Sequence, residues 1–423
     1  MFALVDGNNF FASCERVFRP ELGHTPVVVL SNNDGCVIAR SPEAKALGIR
    51  MGEAWFEIRA FAQRNGVVVF SVNPALYADM SNRMMNVLLQ FSPHQEIYSI
   101  DECFLGLDGY THLDLADYGR QIRQRVLQWL GLPVCVGIAA TKTLAKLANH
   151  CAKSTLAGHA GVCDFSRLSA AELDALFTRI PVGEVWGVGR RLREHFAAQG
   201  LHTVADLKQA NAVALRKQHS IVVENMVREL NGIPCLSSAD VDEGKHQLIS
   251  SRSFGQRVHR LRELEEAVAA HVASAAVKLR QQGSWAAIVH VHIRTSHHDG
   301  DAYFQKGISV PLSAPSNDTL RLTRAALWGL RRIFAQGPAY HKVGIALLEL
   351  SSTPPVQPDL FSRVRDNPRL MQVMDRVNAS FGHGTLRSAA TAMSDSPRWQ
   401  ARREFPAQGF TTRWADLRVI QAR

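Results

Sequence analysis

The sequence predicts an α+β chain of several domains, on three observations. Short apolar runs alternate with helical patterns up to residue 165, helical patterns alone fill 166–233, and a strand, helix, strand, strand, helix, strand order fills 248–351. At 423 residues the chain also exceeds one ordinary domain of about 100–200 residues, and its 46% hydrophobic content is enough for more than one core.

FALVD (2–6) and PVVVL (26–30) are brief apolar runs and read as buried strands, whereas EAKALGIRMG reads as a helix closed by Gly48 or Gly52. GVVVF (66–70) is a further strand and YADMSNRMMNVLLQF a helix. EIYSIDECFLGL (96–107) reads as one strand, LADYGRQIRQRVLQWLG (115–131) as an amphipathic helix, PVCVGIA (133–139) as a strand and KTLAKLANHCAK as a helix. No GxGxxG follows the first strand, which argues against a dinucleotide fold. After the polar link SADVDEGKHQ (238–247), ISSRSFGQRV is a strand, LRELEEAVAAHVASAAVKLRQQG a helix and WAAIVHVHIRTS (285–296) a strand. The SAPSND turn then leads to the helix TLRLTRAALWGLRRIFAQG and the strand KVGIALLEL, completing a split βαβ domain. The paired prolines of SSTPPVQP mark a linker.

The seven cysteines are scattered, odd in number and never spaced CxxC, so reduced thiols are expected, with neither a disulfide framework nor a zinc site. No apolar run reaches about 18 residues, and MFALVDGNNF does not read as a signal peptide; the cytosol is the expected address. The net charge of +10 is uneven. Residues 1–244 carry 23 Lys and Arg against 25 Asp and Glu, residues 245–351 carry 14 against 7, and residues 352–423 carry 11 against 6. A basic excess confined to the C-terminal half suits a polyanionic partner, or simply a solvated surface.

Asp101 and Glu102 stand side by side in the apolar segment YSIDECF, and Asp6 ends the first strand. Neighbours in a strand face opposite ways, so both acids serve one site only if the strand ends or twists there, or if Glu102 reaches round. Three converging carboxylates repel unless divalent cations lie between them, and oxygen ligands select Mg²⁺ or Mn²⁺. Metal pairs about 3.5–4 Å apart hold the attacking and leaving oxygens in phosphoryl and nucleotidyl transfer. The plainer reading makes Asp6 a helix cap and Glu102 a solvated edge residue.

DGNNFFASCE, VIARSPEAKALGIRMG, YSIDECF, VGIAATKTLAKLANHCAK and VWGVGRR follow one another in this order, and together they resemble the Y-family translesion DNA polymerases over nearly the whole chain. The resemblance implies a right-hand polymerase. Its ferredoxin-like palm would be 1–30 and 78–165, small fingers 31–77, a helical thumb with a helix-hairpin-helix 166–233, a linker 234–247 and a little finger 248–351. Residues 352–423 would be a linker and C-terminal tail. It implies error-prone lesion bypass in SOS mutagenesis, with Asp6, Asp101 and Glu102 as catalytic metal ligands, joined by the carbonyl of Gly7, on two Mg²⁺ ions. Phe11 falls at the steric gate against the sugar C2′, where many relatives have Tyr, with Phe10 beside it. Ile38 falls at the roof over the nascent base pair, and Lys45 and Lys153 fall on the triphosphate of the dNTP. Pro42 stands where many relatives place a tyrosine.

For gripping primer-template DNA, the resemblance and the basic residues point to Gly187, Gly189, Arg190 and Arg191 in the hairpin, and to Arg252, Arg257 and Arg294 on the little-finger strands. His290 and His292 share a strand face, as a metal pair or as plain outward-facing histidines. QPDLF resembles a sliding-clamp peptide through Gln357, Leu360 and Phe361. RLMQVMDRVNASFGHGTLRSAA and WQARREFPAQGFTTRWADL resemble the extension of the UmuC-like branch, which implies a processed UmuD-like dimer and a RecA filament as partners. The alternatives are a metal-dependent nuclease and a non-catalytic DNA or clamp adaptor.

Overall fold

The computed structural model describes residues 1–154, 156, 161–236, 245–297, 303–353, 366–382, 384–391 and 398–417. They fall into two compact units, Met1–Ser31 with Gly35–Val241 and Phe405–Arg423, and Asn32–Asp34 with Asp242–Glu404. None of the described helices is long and apolar enough to cross a membrane. All seven cysteines are free.

The first unit opens with β1 (Phe2–Gly7) and α1 (Phe10–Val17), followed by β2 (Val27–Leu30), β3 (Val37–Arg40), α2 (Pro42–Ala46), α3 (Trp55–Arg64), β4 (Val68–Ser71) and α4 (Pro74–Leu88). Next come β5 (Gln95–Ile97), β6 (Glu102–Gly106), α5 (Leu115–Leu130), β7 (Val134–Ala139), α6 (Lys142–Lys153) and β8 (Val162–Asp164). The helices α7 (Ala170–Phe177), α8 (Arg190–Ala198), α9 (Val204–Gln209), α10 (Ala212–Gln218) and α11 (Ile221–Leu230) close this stretch.

Five strands form one sheet in the order β5-β6-β1-β7-β8. Strand alternation sends Ala3, Val5, Cys103 and Leu105 to one face, in a core with residues of α1, α4 and α5. It sends Leu4, Phe104 and Cys135 to the other, where they pack with α6 and the helices that follow. α6 lies hard against β7: a Cβ on Gly137 would meet the Asn149 backbone nitrogen at 2.1 Å and the Ala145 carbonyl at 2.4 Å, so only glycine fits. Asn149 anchors the helix by donating to the carbonyls of Leu4 at 3.2 Å and Cys135 at 3.0 Å.

Two sequence expectations need correction in this unit. Residues 96–107 are not one strand. β5 folds back antiparallel on β6, with Ile97 opposite Cys103, and Tyr98–Asp101 make the bend between them. The Ser99 hydroxyl accepts from the backbone N–H groups of Asp101 (3.3 Å) and Glu102 (3.1 Å), a local side-chain turn that competes with the ladder. β2, whose residues the resemblance places with the palm, is the centre of a separate three-stranded sheet, β3-β2-β4. Two aromatic residues near the C-terminal end of the described chain, Phe405 and Phe410, pack onto this unit. Phe405 packs edge-on against Trp55, its carbonyl accepts from the Ser71 N–H at 2.8 Å, and Phe410 stacks on Phe18 at 4.9 Å.

The second unit contains β9 (Leu248–Val258), α12 (Leu261–Gln281), β10 (Trp285–Arg294), β11 (Gln305–Ser316), α13 (Thr319–Ile333), β12 (Tyr340–Ser351) and α14 (Pro368–Phe381). Its sheet order is β11-β10-β12-β9, so each helical crossover joins strands that flank a third, two interlocked split βαβ units. The turn expected over SAPSND is shorter than expected. Ser313–Ser316 continue β11, and Asp318 caps α13 by accepting from the N–H groups of Leu320 and Arg321. α14 is held to α12 by a bidentate pair, Arg280 to Asp375, at 2.7 Å for both bonds.

Candidate active site

The register of β1 and β6 sets Asp6 opposite Glu102. Because the bend ends just before Glu102, that residue starts β6 with its side chain on the α6 side of the sheet, the same side as Asp6 and Phe104. The break in the strand resolves the facing problem posed by adjacent acids. Asp101 belongs to the bend. Its carbonyl accepts from the Gly7 N–H at 2.9 Å, and its carboxylate accepts from the Ser99 hydroxyl at 2.7 Å.

Burial pushes the Asp6 carboxyl up to about 6; Lys153 opposes that rise through charge and hydrogen bonding, and Glu102 adds to it. Lys153 Nζ lies 2.5 Å from Asp6 Oδ2, and Lys146 Nζ lies 3.1 and 3.0 Å from the two oxygens of Glu102. One turn earlier, Lys142 Nζ lies 2.5 Å from Glu96 Oε2. α6 thus crosses β5, β6 and β1 carrying one lysine for the carboxylate on each strand, and this offsets the cost of burying them. The stripe Lys142, Lys146, Asn149, Lys153, at helical spacing along one side of α6, is the sequence signal that would have identified Lys142 and Lys146, which the sequence reading passed over.

The donor set suits a hard divalent cation, since Asp6, Asp101 and Glu102 offer oxygen only. Cys103 contributes nothing to it, because burial pushes its thiol up to about 12 and the thiol stays protonated. As positioned, Asp6 and Glu102 form a pair and Asp101 is turned to Ser99; among the described residues, no three His, Cys, Asp or Glu side chains are placed to hold one ion between them.

Around this pair the chain gathers positive charge. Partial burial holds the Lys45 ammonium on α2 below its ordinary range, with the charges of Arg40 and Lys153 acting the same way and Asp6 acting against them. Lys45 and Lys153, singled out together from sequence, are therefore brought near one another and near Asp6. Arg40, at the end of β3, was missed; its guanidinium donates to the Ile49 carbonyl. Pro42 opens α2 at a position that needs no N–H, after Ser41 caps the helix by accepting from the Ala44 N–H. Phe10 is buried in the core, whereas Phe11 and Ile38 are half-buried at its margin.

The hairpin lies in the same unit. Gly187 has φ +91°, and a Cβ there would also strike the Met226 methyl at 2.4 Å. Gly189 is the N-cap of α8 and has no capping side chain, so the amides that open the helix are presented beside exposed Arg190 and Arg191. The stretch before the turn is only a single 3₁₀ turn, Val182–Glu184. Trp186 donates to the Tyr98 hydroxyl at 3.1 Å, and both rings flank the Lys146 ammonium, at 5.1 and 4.3 Å.

On the second unit, register separates the arginines chosen from sequence. Arg294 pairs with Lys342 across β10 and β12, on the sheet face that also carries His290 and His292. Arg257 lies beside His341, 2.7 Å from its Nδ1. Arg252 does not join them. It stands opposite Val343, a core residue, on the side where neighbouring Ser250 meets His271 of α12 at 2.9 Å. His290 and His292 lie 6.1 Å apart between their ring centroids, over Gly307 and Gly344, and His290 Nδ1 pairs with the Ser309 hydroxyl at 2.9 Å. Gln357, Leu360 and Phe361 lie outside the described residues.

Residues 5–150 match the model of the impB/mucB/samB family, and residues 245–360 match the model of that family's C-terminal domain. Residues 368–420 match a domain of unknown function. The chain is 44% identical to Protein UmuC of Salmonella typhimurium over 99% of both chains, and 42% identical to Protein ImpB of the same species over 99% of both. It is 27% identical to DNA polymerase IV of Moorella thermoacetica over 92% of this chain and 95% of that one. Among solved structures, it is similar to a Y-family DNA polymerase chimera of Dbh and Dpo4, with TM-score 0.65, 20% identity, and 82% of this chain and 98% of the other covered.

Proposed function

We infer that this chain, which belongs to the impB/mucB/samB family of Y-family DNA polymerases, carries out error-prone translesion DNA synthesis at the site built on Asp6, Asp101 and Glu102. The observation that carries the site assignment is the facing of Asp6 and Glu102 on adjoining strands, with Lys153 and Lys45 beside them. The primer 3′-hydroxyl attacks the α-phosphate of a bound dNTP and pyrophosphate leaves. Lys45 and Lys153 would hold the triphosphate and balance its charge, and Phe11 would abut the sugar at C2′. Catalysis here is mainly positioning and charge neutralisation.

Enzymes of this family depend on a divalent metal. Our reading is two Mg²⁺ ions held by Asp6, Asp101, Glu102 and the Gly7 carbonyl, with Mn²⁺ as a substitute; when bound, they would lower the charge barrier between hydroxyl and phosphate. The α8 N-terminus, Arg190 and Arg191, and the Arg294 face of the second unit would follow the DNA backbone without reading sequence. Gln357, Leu360 and Phe361 would tether the chain to a sliding clamp. Residues 366–417 would contribute to binding a processed UmuD-like dimer and a RecA filament, on the chromosome in the cytoplasm.

The test is Asp101→Ala in a primer-extension assay opposite an abasic site. The expected result is loss of incorporation with primer-template binding kept. Undiminished extension would remove Asp101 from the site, and degradation of the primer in place of extension would favour a nuclease.

A further inference from the structure

Tyr77, on α4, touches α1 at two points. Its ring stacks on Phe11 with centroids 4.3 Å apart and planes 12° from parallel, and its hydroxyl donates to Glu15 Oε1 at 2.9 Å. Phe11 and Glu15 are four residues apart on α1 and so share one helix face. Tyr77 is 1% exposed and Glu15 is fully buried. A buried carboxyl is costly to keep in an apolar core, and this one gives one oxygen to Tyr77 while Oε2 has no hydrogen-bond partner. The contact therefore fixes the Tyr77 ring in position and plane. Phe11 has no polar atom of its own, so its ring orientation is set by what it stacks on.

We propose that Tyr77, held by Glu15, is a positioning residue for sugar selection: it locks the plane of the Phe11 ring and thereby sets the clearance left for a 2′ substituent on the incoming nucleotide. The proposal rests on the reading of Phe11 as the residue that abuts C2′. An aromatic ring is thin across its face and wide across its edge, so a ring free to turn about its Cβ–Cγ bond admits a hydroxyl that a fixed ring excludes. Tyr77 does not need to touch the nucleotide to do this.

The experiment compares single-nucleotide incorporation of dNTP and rNTP by the full-length protein on an undamaged primer-template. Tyr77→Leu should lower the dNTP-over-rNTP ratio of kcat/KM by about tenfold, mainly by raising rNTP use, since a tenfold change is a small displacement in barrier. Tyr77→Phe, which keeps the ring but loses the hydrogen bond to Glu15, should fall between Tyr77→Leu and the parent, about threefold below the parent ratio, whereas Glu15→Gln, which keeps an acceptor for the hydroxyl, should leave the ratio at the parent value. Phe11→Ala should lose discrimination, and adding Tyr77→Leu to it should change the ratio no further. An unchanged ratio in Tyr77→Leu beside a collapsed ratio in Phe11→Ala would overturn the proposal while leaving the gate intact. An unchanged ratio in Phe11→Ala would overturn the gate and the proposal together. If Tyr77→Leu does not fold, Tyr77→Met carries the same expectation.

Discussion

Glu15 places a titratable group where water does not reach, and burial pushes its carboxyl from 4.5 up to about 7, with the Tyr77 hydroxyl and Arg19 opposing the rise. Between those values the folded chain keeps a proton that the unfolded chain has released, so the stability tied to it is complete below about pH 4.5 and lost as pH rises towards 7. Glu15→Gln should abolish this loss: its melting temperature should gain on the parent between pH 5 and pH 7, by a free energy of roughly 3 kcal/mol at most. Parallel melting curves across that range would reject the assignment. Lys153→Ala removes the ion pair on Asp6 together with the triphosphate contact proposed for it, and should raise KM for dNTP by about tenfold with a smaller fall in kcat; steady-state kinetics read the split. Asp6, Glu102, Lys45 and Lys153 were legible because each sits in a short motif whose order is specific. Lys146 was passed over although its helical spacing with Lys142 and Lys153 marks it, whereas Arg40 and Tyr77 carry no local mark, since Tyr77 meets a partner 62 residues away in the chain.

At the level of elements, α6 and β7 stand or fall together at Gly137. Gly137→Ala puts a methyl inside the helix backbone, and should cost more than about 3 kcal/mol or prise α6 off the sheet, taking Lys146 and Lys153 from their carboxylates. Thermal unfolding of the variant checks this. On the second unit, strand alternation predicts a contrast between two arginines of equal charge. Arg294→Ala should weaken DNA binding and reduce the salt slope by about one, whereas Arg252→Ala, on the helix-covered side, should leave the slope unchanged. The hydrophobic periods exposed nearly every long helix and strand, α5, α6, α12 and β10 among them. They failed over 96–107, where the apolar run is continuous although the backbone turns on a serine hydroxyl that hydropathy does not register, and over β3 and α3, which are short and half-buried.

For the molecule as a whole, the charge asymmetry of the sequence marked the half that carries the basic sheet. What it could not show is that residues 405–417 return to the first unit. Phe410 is 4% exposed, stacked on Phe18, and the Arg19 guanidinium lies over both the Phe70 and Phe410 rings, at 4.9 and 5.9 Å. Phe410→Ala should destabilise the first unit by about 3 kcal/mol, readable as a lowered melting temperature of the purified chain with no partner present. An unchanged melting temperature would mean that this packing contributes nothing. The same contact has a consequence during synthesis. The last of the strands β2, β3 and β4 leaves the ribosome about 330 residues before Phe405 does, an interval of roughly 20–70 s at ordinary translation speeds. Until then Trp55 and Phe18 lack one aromatic partner each, so a nascent or prematurely terminated product would carry a less completely packed, stickier lobe open to chaperones and proteases.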